Sequence, residues 1–187
     1  LSETDIIQAL QRGEDKAFAA LIDQYQVMVY NTVLSIVQHA AEAEDITQEV
    51  FIKAFESIDG FKGASKLSTW LYRISINKAL DWQRKQKRQK RFSFVQQLFG
   101  DSNEPIYEQQ DFHHPGVALA NKEGAAILFA ALNKLPENQK TVFVLLKSEG
   151  LSYTEVAEVL QVSVKAVESL MQRAKENLRK KLIDYYQ

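Results

Sequence analysis

Residues 151–182, LSYTEVAEVLQVSVKAVESLMQRAKENLRKKL, permit few folds, because their apolar positions fit two helices of unequal length joined by a tight turn. Ser152-x-x-Glu155 is a capping-box pattern, in which the hydroxyl accepts from a free backbone N–H and the glutamate reaches back. Val156, Val159 and Leu160 give the first helix one apolar side. Gln161-Val162 break the period, and Ser163 is suited to cap the next helix. There Val167, Leu170, Met171, Ala174 and Leu178 share a face. The opposite face offers Lys165, Glu168, Ser169, Gln172, Arg173 and Lys175, a row able to meet phosphates and base edges. A helix over 163–182 is roughly 30 Å long, enough to lie in a major groove with basic residues trailing along the backbone. This is the layout of a helix-turn-helix. Taken alone, the pattern serves equally an antiparallel helix pair with a solvated charged face.

The rest of the chain narrows that choice. Its 187 residues suit one domain or two small ones. A net charge of −1 means that any attraction to nucleic acid must come from segregated charge. Cysteine is absent, which excludes disulfides, thiolate metal sites and a cysteine nucleophile, and fits a cytoplasmic protein. No apolar run reaches the ~18 residues of a membrane span, and the N-terminus lacks a basic-then-apolar signal pattern, so no membrane insertion is expected. Proline and glycine are scarce and helical periods dominate, which predicts an all-α fold.

Along the chain, residues 2–12 predict a short helix stopped by Gly13, with Ile6, Ile7 and Leu10 as its apolar side. Asp15 is placed to cap the next helix, where Phe18, Leu21, Ile22, Tyr25, Val29, Val33, Ile36 and Val37 keep helical spacing. A third helix over about 41–58 turns Ile46, Val50, Phe51, Ala54 and Phe55 inward and shows Glu42, Asp45, Gln48, Glu49 and Lys53 outward, a mainly acidic face. Gly60-Phe61-Lys62-Gly63 reads as a loop. The stretch KLSTWLYRISINKALDWQRKQKRQKR then predicts a helix that begins with packing residues (Leu67, Trp70, Leu71, Ile74, Leu80) and becomes strongly basic, Asp81 being its single acid. Aromatics interleave the cations as Phe61, Trp70, Tyr72 and Trp82, the combination that holds single-stranded nucleic acid by stacking beside a cationic track. Core packing explains the same aromatics as readily.

Periodicity fails over 92–115, an irregular acidic linker carrying Asp101, Glu104, Glu108 and Asp111. Asp111, His113 and His114 are too few for a metal site, and no metal or cofactor is expected. The linker separates a first domain, 1–91, from a second, 116–187, which reads as four helices. The first runs through Val117, Ala120, Gly124, Ile127, Leu128 and Ala131 and ends at Leu135-Pro136. Pro136 preorganises the next, packed by Val142, Leu145 and Leu146 and closed by Gly150. The helix-turn-helix supplies the last two.

Across both domains the chain resembles the bacterial RNA polymerase sigma factors of the extracytoplasmic function (ECF) group. AEAEDITQEVFIKAF is similar to the family's second conserved region, LSTWLYRISINKALDWQRK to its promoter-melting and −10-reading segment, and LPENQKTVF with EGLSYTEVAEVLQVSVKAVESLMQRAKENL to its fourth region. The resemblance implies a subunit that binds core polymerase, directs it to −35/−10 promoters and opens the −10 region in transcription initiation, with control by an anti-sigma factor. It implies that Asp45, Gln48, Glu49 and Lys53 meet the clamp helices of the β′ subunit, the β subunit being a further partner. It implies contacts to the melted −10 strand from Phe61, Lys62, Lys66, Trp70, Arg73, Asn77, Lys78 and Arg84, the loop residues forming a pocket for a flipped base. Double-stranded −35 DNA would be read by Lys165, Glu168, Ser169, Gln172, Arg173 and Lys175. The linker would pass through polymerase toward its active-site cleft.

Two positions depart from the family pattern. Glu168 stands where a basic residue is frequent, and Leu170 where arginine is frequent. Since glutamate can accept from cytosine N4, these imply a changed −35 preference or weaker binding. Past Gln187 no ligand-sensing extension of the sort some relatives carry is expected. A stand-alone helix-turn-helix regulator is the alternative; it accounts for residues 151–182 and leaves the acidic and Trp-containing basic helices without a purpose. An enzyme is not expected: there is no Gly-rich phosphate loop, no cysteine, and only His39, His113 and His114 among histidines.

Overall fold

A computed structural model of the chain describes the backbone of residues 3–99 and 122–186 and the side chains of 3–92 and 124–183. Most of the linker, with Asp101, Glu104, Glu108, Asp111, His113 and His114, lies outside the described residues. The described residues form eight α-helices and a 3-10 turn: α1 (Glu3–Gln11), α2 (Asp15–Val37), α3 (Ala40–Ser57), the turn Ile58–Gly60, α4 (Leu67–Phe99), α5 (Lys122–Asn133), α6 (Glu137–Lys147), α7 (Tyr153–Leu160) and α8 (Val164–Tyr186). The all-α expectation holds.

Local chemistry sets the boundaries. Gly13 takes φ +74°, which lets the chain turn from α1 into α2. Asp15 is the first residue of α2, not its cap; Glu14 holds the cap position without a side-chain bond, and Asp15 contributes its charge to the positive helix start. Gln38 ends α2 in the left-handed conformation (φ 59°), its N–H bonded to the Leu34 carbonyl. His39 caps α3, its Nδ1 accepting from the Glu42 N–H at 3.3 Å.

α2 is the axis of the first half. Every residue from Thr32 to Val37 is buried, so the apolar sequence there serves all faces of the helix rather than one. α3 and α4 pack on it. α4 extends eight residues past Arg91, to Phe99, and at 33 residues is about 50 Å long. Its first part is core, with Leu67, Leu71, Ile76 and Ala79 buried, and residues 87–92 are exposed.

The second half is α5–α8. Ser152 caps α7 in a complete capping box: its Oγ accepts from the Glu155 N–H at 3.2 Å while Glu155 accepts from the Ser152 N–H at 3.0 Å. Gln161 takes the left-handed conformation that ends α7, and Ser163 Oγ accepts from the Ala166 N–H at the start of α8. Pro136 sits at the cap position of α6, one residue before the site where a proline would be helical. Val167, Met171, Ala174 and Leu178 are buried along one side of α8.

The halves do not stand apart. Val142, Val144 and Leu145 of α6 and Val156 and Val159 of α7 belong to one apolar cluster with Val33 and Ile36 of α2 and Leu71 of α4. A smaller cluster, Phe129, Leu132, Leu135, Ala174 and Leu178, ties α5 to α8. Burying a Val or Leu side chain fully contributes about 1.5–3 kcal/mol, so the shared cluster, not the ion pairs around it, dominates this packing.

Candidate nucleic-acid interface

Three surfaces carry the residues expected to work. On α3, Asp45, Gln48, Glu49 and Lys53 are all exposed, on the side opposite Ile46, Val50 and Ala54, which are buried. Ile52 and Phe55 are exposed large apolar residues of the same helix, and the Phe55 ring lies 5.2 Å from that of Phe18 in an edge-on contact. The helix therefore shows an acidic face with an apolar fringe. The fringe departs from the expectation that Phe55 turns inward: at 45% exposure it shares Phe18 with solvent.

The second surface is α4 with the loop before it. Phe61 is buried, its ring 5.1 Å from that of half-buried Trp70, and the adjacent Lys62 is exposed. Asn77 is exposed. Lys78 reaches Glu49 of α3 at 2.8 Å, which joins the basic face to the acidic one. Trp82 donates through Nε1 to Glu42 at 2.7 Å, so its indole is committed within the first half. Three further cations of this surface bond to the second half. Arg73 donates to the Glu158 carbonyl at 2.7 Å and the Val159 carbonyl at 3.1 Å; Lys66 pairs with Glu155 at 3.5 Å; Arg84 pairs with Glu137 at 3.0 Å. Sequence spacing carries no signal for these three partners, because each lies more than fifty residues away.

The third surface is α8. Lys165, Glu168, Ser169, Gln172, Arg173 and Lys175 are all exposed on the side opposite the buried Val167 and Met171. Gln172 donates to Glu176 one turn on at 3.2 Å. Leu170 is half-buried against the apolar cluster, so the position where the family often has arginine belongs to the core side of this helix. Lys175 also borders an apolar groove of about 660 Å³ lined by Leu128, Phe143, Leu178, Arg179, Leu182 and Ile183, a feature that spacing within single helices did not reveal.

Buried polar groups between the halves were also missed. Lys140 is 2% exposed and donates to the Ile36 carbonyl at 2.6 Å and to Asn133 Oδ1. Burial, with the Lys87 charge nearby, brings its amine down to about 7. Glu149 accepts from the Tyr72 hydroxyl at 3.4 Å. Burial raises its carboxyl to about 7 against the opposing hydrogen bonds from Thr32 and Tyr72, and desolvation with the Glu149 charge raises the Tyr72 phenol far above its ordinary value. Among the described residues no group of three or more His, Cys, Asp or Glu could hold a metal, and no helix is long and apolar enough to cross a membrane.

An acidic helix, a basic aromatic helix and a helix-turn-helix within one chain are the parts of a sigma-type transcription factor. Residues 21–89 match Sigma-70 region 2 and residues 125–178 match Sigma-70, region 4. The chain is 34% identical over 180 residues to the RNA polymerase sigma-H factor of Pseudomonas aeruginosa, covering 96% of this chain and 93% of that one. It is also 34% identical to the ECF RNA polymerase sigma factor SigW of Bacillus subtilis (95% of each) and 31% identical to the ECF RNA polymerase sigma-E factor of Escherichia coli (97% and 95%). In fold it is similar to CnrH in complex with the cytosolic domain of CnrY (TM-score 0.67, 24% identity, 96% of each chain). A second likeness is to the sigma factor RpoE of Bartonella quintana in complex with the anti-sigma factor NepR (TM-score 0.62, 24% identity, 89% and 97%). The chain belongs to the ECF sigma factors of RNA polymerase, DNA-binding factors of transcription initiation.

Proposed function

We propose that this sigma factor binds core polymerase through α3, reads a −35 duplex through α8 and holds the melted −10 strand on α4. The working division is 1–91 for polymerase and −10 contacts, 92–115 as linker and 116–187 for −35 contacts. The observation that supports this most is the exposed row Lys165, Glu168, Ser169, Gln172, Arg173 and Lys175 on a helix whose other side is buried. Such a helix can enter a major groove without disturbing its own packing. Asp45, Gln48, Glu49 and Lys53 are assigned to the β′ clamp helices, because an acidic face with complementary charge opposite fixes register. Phe61, Lys62, Lys66, Trp70, Arg73, Asn77, Lys78 and Arg84 are assigned to the −10 strand. Opening a base costs a few kcal/mol of unstacking, and a pocket with phosphate contacts offsets it. Glu168 favours a cytosine-bearing −35 box. The β subunit and an anti-sigma factor complete the partners, and the setting is the cytoplasm.

Asp45→Arg with Gln48→Ala should abolish co-purification with core polymerase while the melting temperature stays within a few degrees of the parent. Run-off transcription on a genomic fragment library, with permanganate footprinting, tests the promoter assignment. Discrete start sites with reactive thymines near −10 are expected; normal co-purification by the double variant, or transcription without start-site selectivity, would overturn the reading.

A further inference from the structure

α1 carries none of the residues assigned to polymerase or DNA, yet both of its ends grip the loop before α4. Gln11, its last residue, donates through Nε2 to the Phe61 carbonyl at 3.1 Å and to the Ile58 carbonyl at 3.3 Å. Glu3, its first, accepts from the Leu67 N–H at the start of α4, where the positive end of the helix dipole favours a carboxylate. The Phe61 carbonyl belongs to the peptide that leads into Lys62, and the Leu67 N–H to the peptide that leaves Lys66. A peptide is planar, so a bond that fixes its carbonyl or N–H fixes the direction of the chain on either side. α1 therefore sets how residues 62–66 enter and leave their loop.

The gripping element is firm and the gripped one is not packed. Ile6, Ala9 and Leu10 of α1 are buried in the main apolar cluster. Lys62, Gly63, Ala64 and Lys66 are exposed, and Gly63 takes φ +68°. With little apolar contact of its own, such a loop takes its shape from its two feet. A pocket that reads a flipped base needs its walls held within about 0.5 Å, which exposed loop residues achieve only when something rigid holds them. Gln11 is itself exposed, so its side chain adds little to the core. Its amide supplies two N–H groups to two converging carbonyls, a task that depends on the donor and not on the bulk of the side chain.

We propose that Gln11 is a positioning residue for reading the −10 element: by holding the Ile58 and Phe61 carbonyls it sets the loop that carries Lys62 and Lys66, with Glu3 securing the far foot. The proposal rests on the −10 role given above to Phe61, Lys62 and Lys66 and adds what shapes their loop.

The test uses holoenzyme reconstituted from core polymerase and the full chain. Its template is a promoter located by genomic run-off transcription and then randomised through the −10 box, and the readout is the ratio of initiation between the preferred base and the other three at each position. Gln11→Met keeps the length of the side chain and removes both N–H groups; the ratio at one or more −10 positions should fall at least about threefold. Gln11→Lys restores a donor and should recover the ratio. A variant that is only less stable initiates less from every template alike and leaves the ratios unchanged, so a purely structural role does not produce this result. Unchanged ratios in Gln11→Met, or equal loss in Gln11→Met and Gln11→Lys, overturn the proposal. A parent chain with no base preference at −10 instead removes the −10 role of the loop, and the positioning role of Gln11 with it.

Discussion

Lys140 and Glu149 are two charges in a seam that suits neither, and their opposed shifts give a pH dependence with a particular shape. The Lys140 amine falls to about 7 from 10.5, so between those values the unfolded chain binds the proton more readily and stability rises with pH. The Glu149 carboxyl climbs to about 7 from 4.5, so between those values the native protein holds the extra proton and stability falls as pH rises. The two limbs meet near neutrality, and the melting temperature should pass through a shallow minimum there. Lys140→Met should flatten the rise above pH 7, and Glu149→Gln the fall below it. Thermal melts from about pH 5 to pH 10 check this, and limbs that persist in both variants would refute it. Neither residue was legible in the sequence. Lys140 stands in LPENQK, where a lysine in an amphipathic helix reads as solvent-facing; its burial comes from Ile36, 104 residues away. Phe61 has the same character, since a Gly-flanked loop phenylalanine does not announce that Trp70 will cover it.

Helices whose ends are written in local chemistry were legible. Ser152, Glu155, Gln161 and Ser163 mark the start of α7, its end and the start of α8, and each plays its part through bonds spanning three or four residues. The described residues place α7 and α8 where spacing puts them. α4 was less legible past Arg91, because the scattered aromatics of FSFVQQLF hide a helix that continues to Phe99. A prediction belongs to this scale. Ser152→Ala removes the acceptor for the Glu155 N–H and frees the carboxylate that it positions, while α7 has only eight residues over which to spread the loss. The substitution should cost about 1 kcal/mol. Denaturant melts should show a lowered midpoint with an unchanged slope, and Ser152→Asp, which keeps an acceptor, should recover most of it.

At the scale of the whole molecule the contact between the two halves rests on two unequal contributions. The shared apolar cluster of Val142, Leu145, Val156, Val159, Val33 and Ile36 favours closure and is insensitive to salt. The ion pairs at its rim, Lys66–Glu155, Arg84–Glu137 and Lys87–Glu137 at 3.6 Å, are partly exposed and worth about 0–1 kcal/mol each. Raising salt should therefore loosen the molecule only slightly. Reversing one charge is a stronger perturbation: Glu137→Arg removes an acid shared by Arg84 and Lys87, leaves Arg84 its pair with Asp81 at 3.1 Å, and sets a third cation beside them. A penalty of about 1–2 kcal/mol moves the closed-to-open ratio by roughly 5- to 30-fold. The variant should show a larger radius of gyration at low salt than the parent, and the difference should shrink in 1 M salt, where the Debye length falls to about 3 Å. It should also bind a random single-stranded DNA pool several-fold more tightly at low salt than the parent, because an acid beside Arg84 and Lys87 has become a cation. A variant that stays as compact as the parent at low salt, with unchanged DNA affinity, would mean that the apolar seam alone sets the balance.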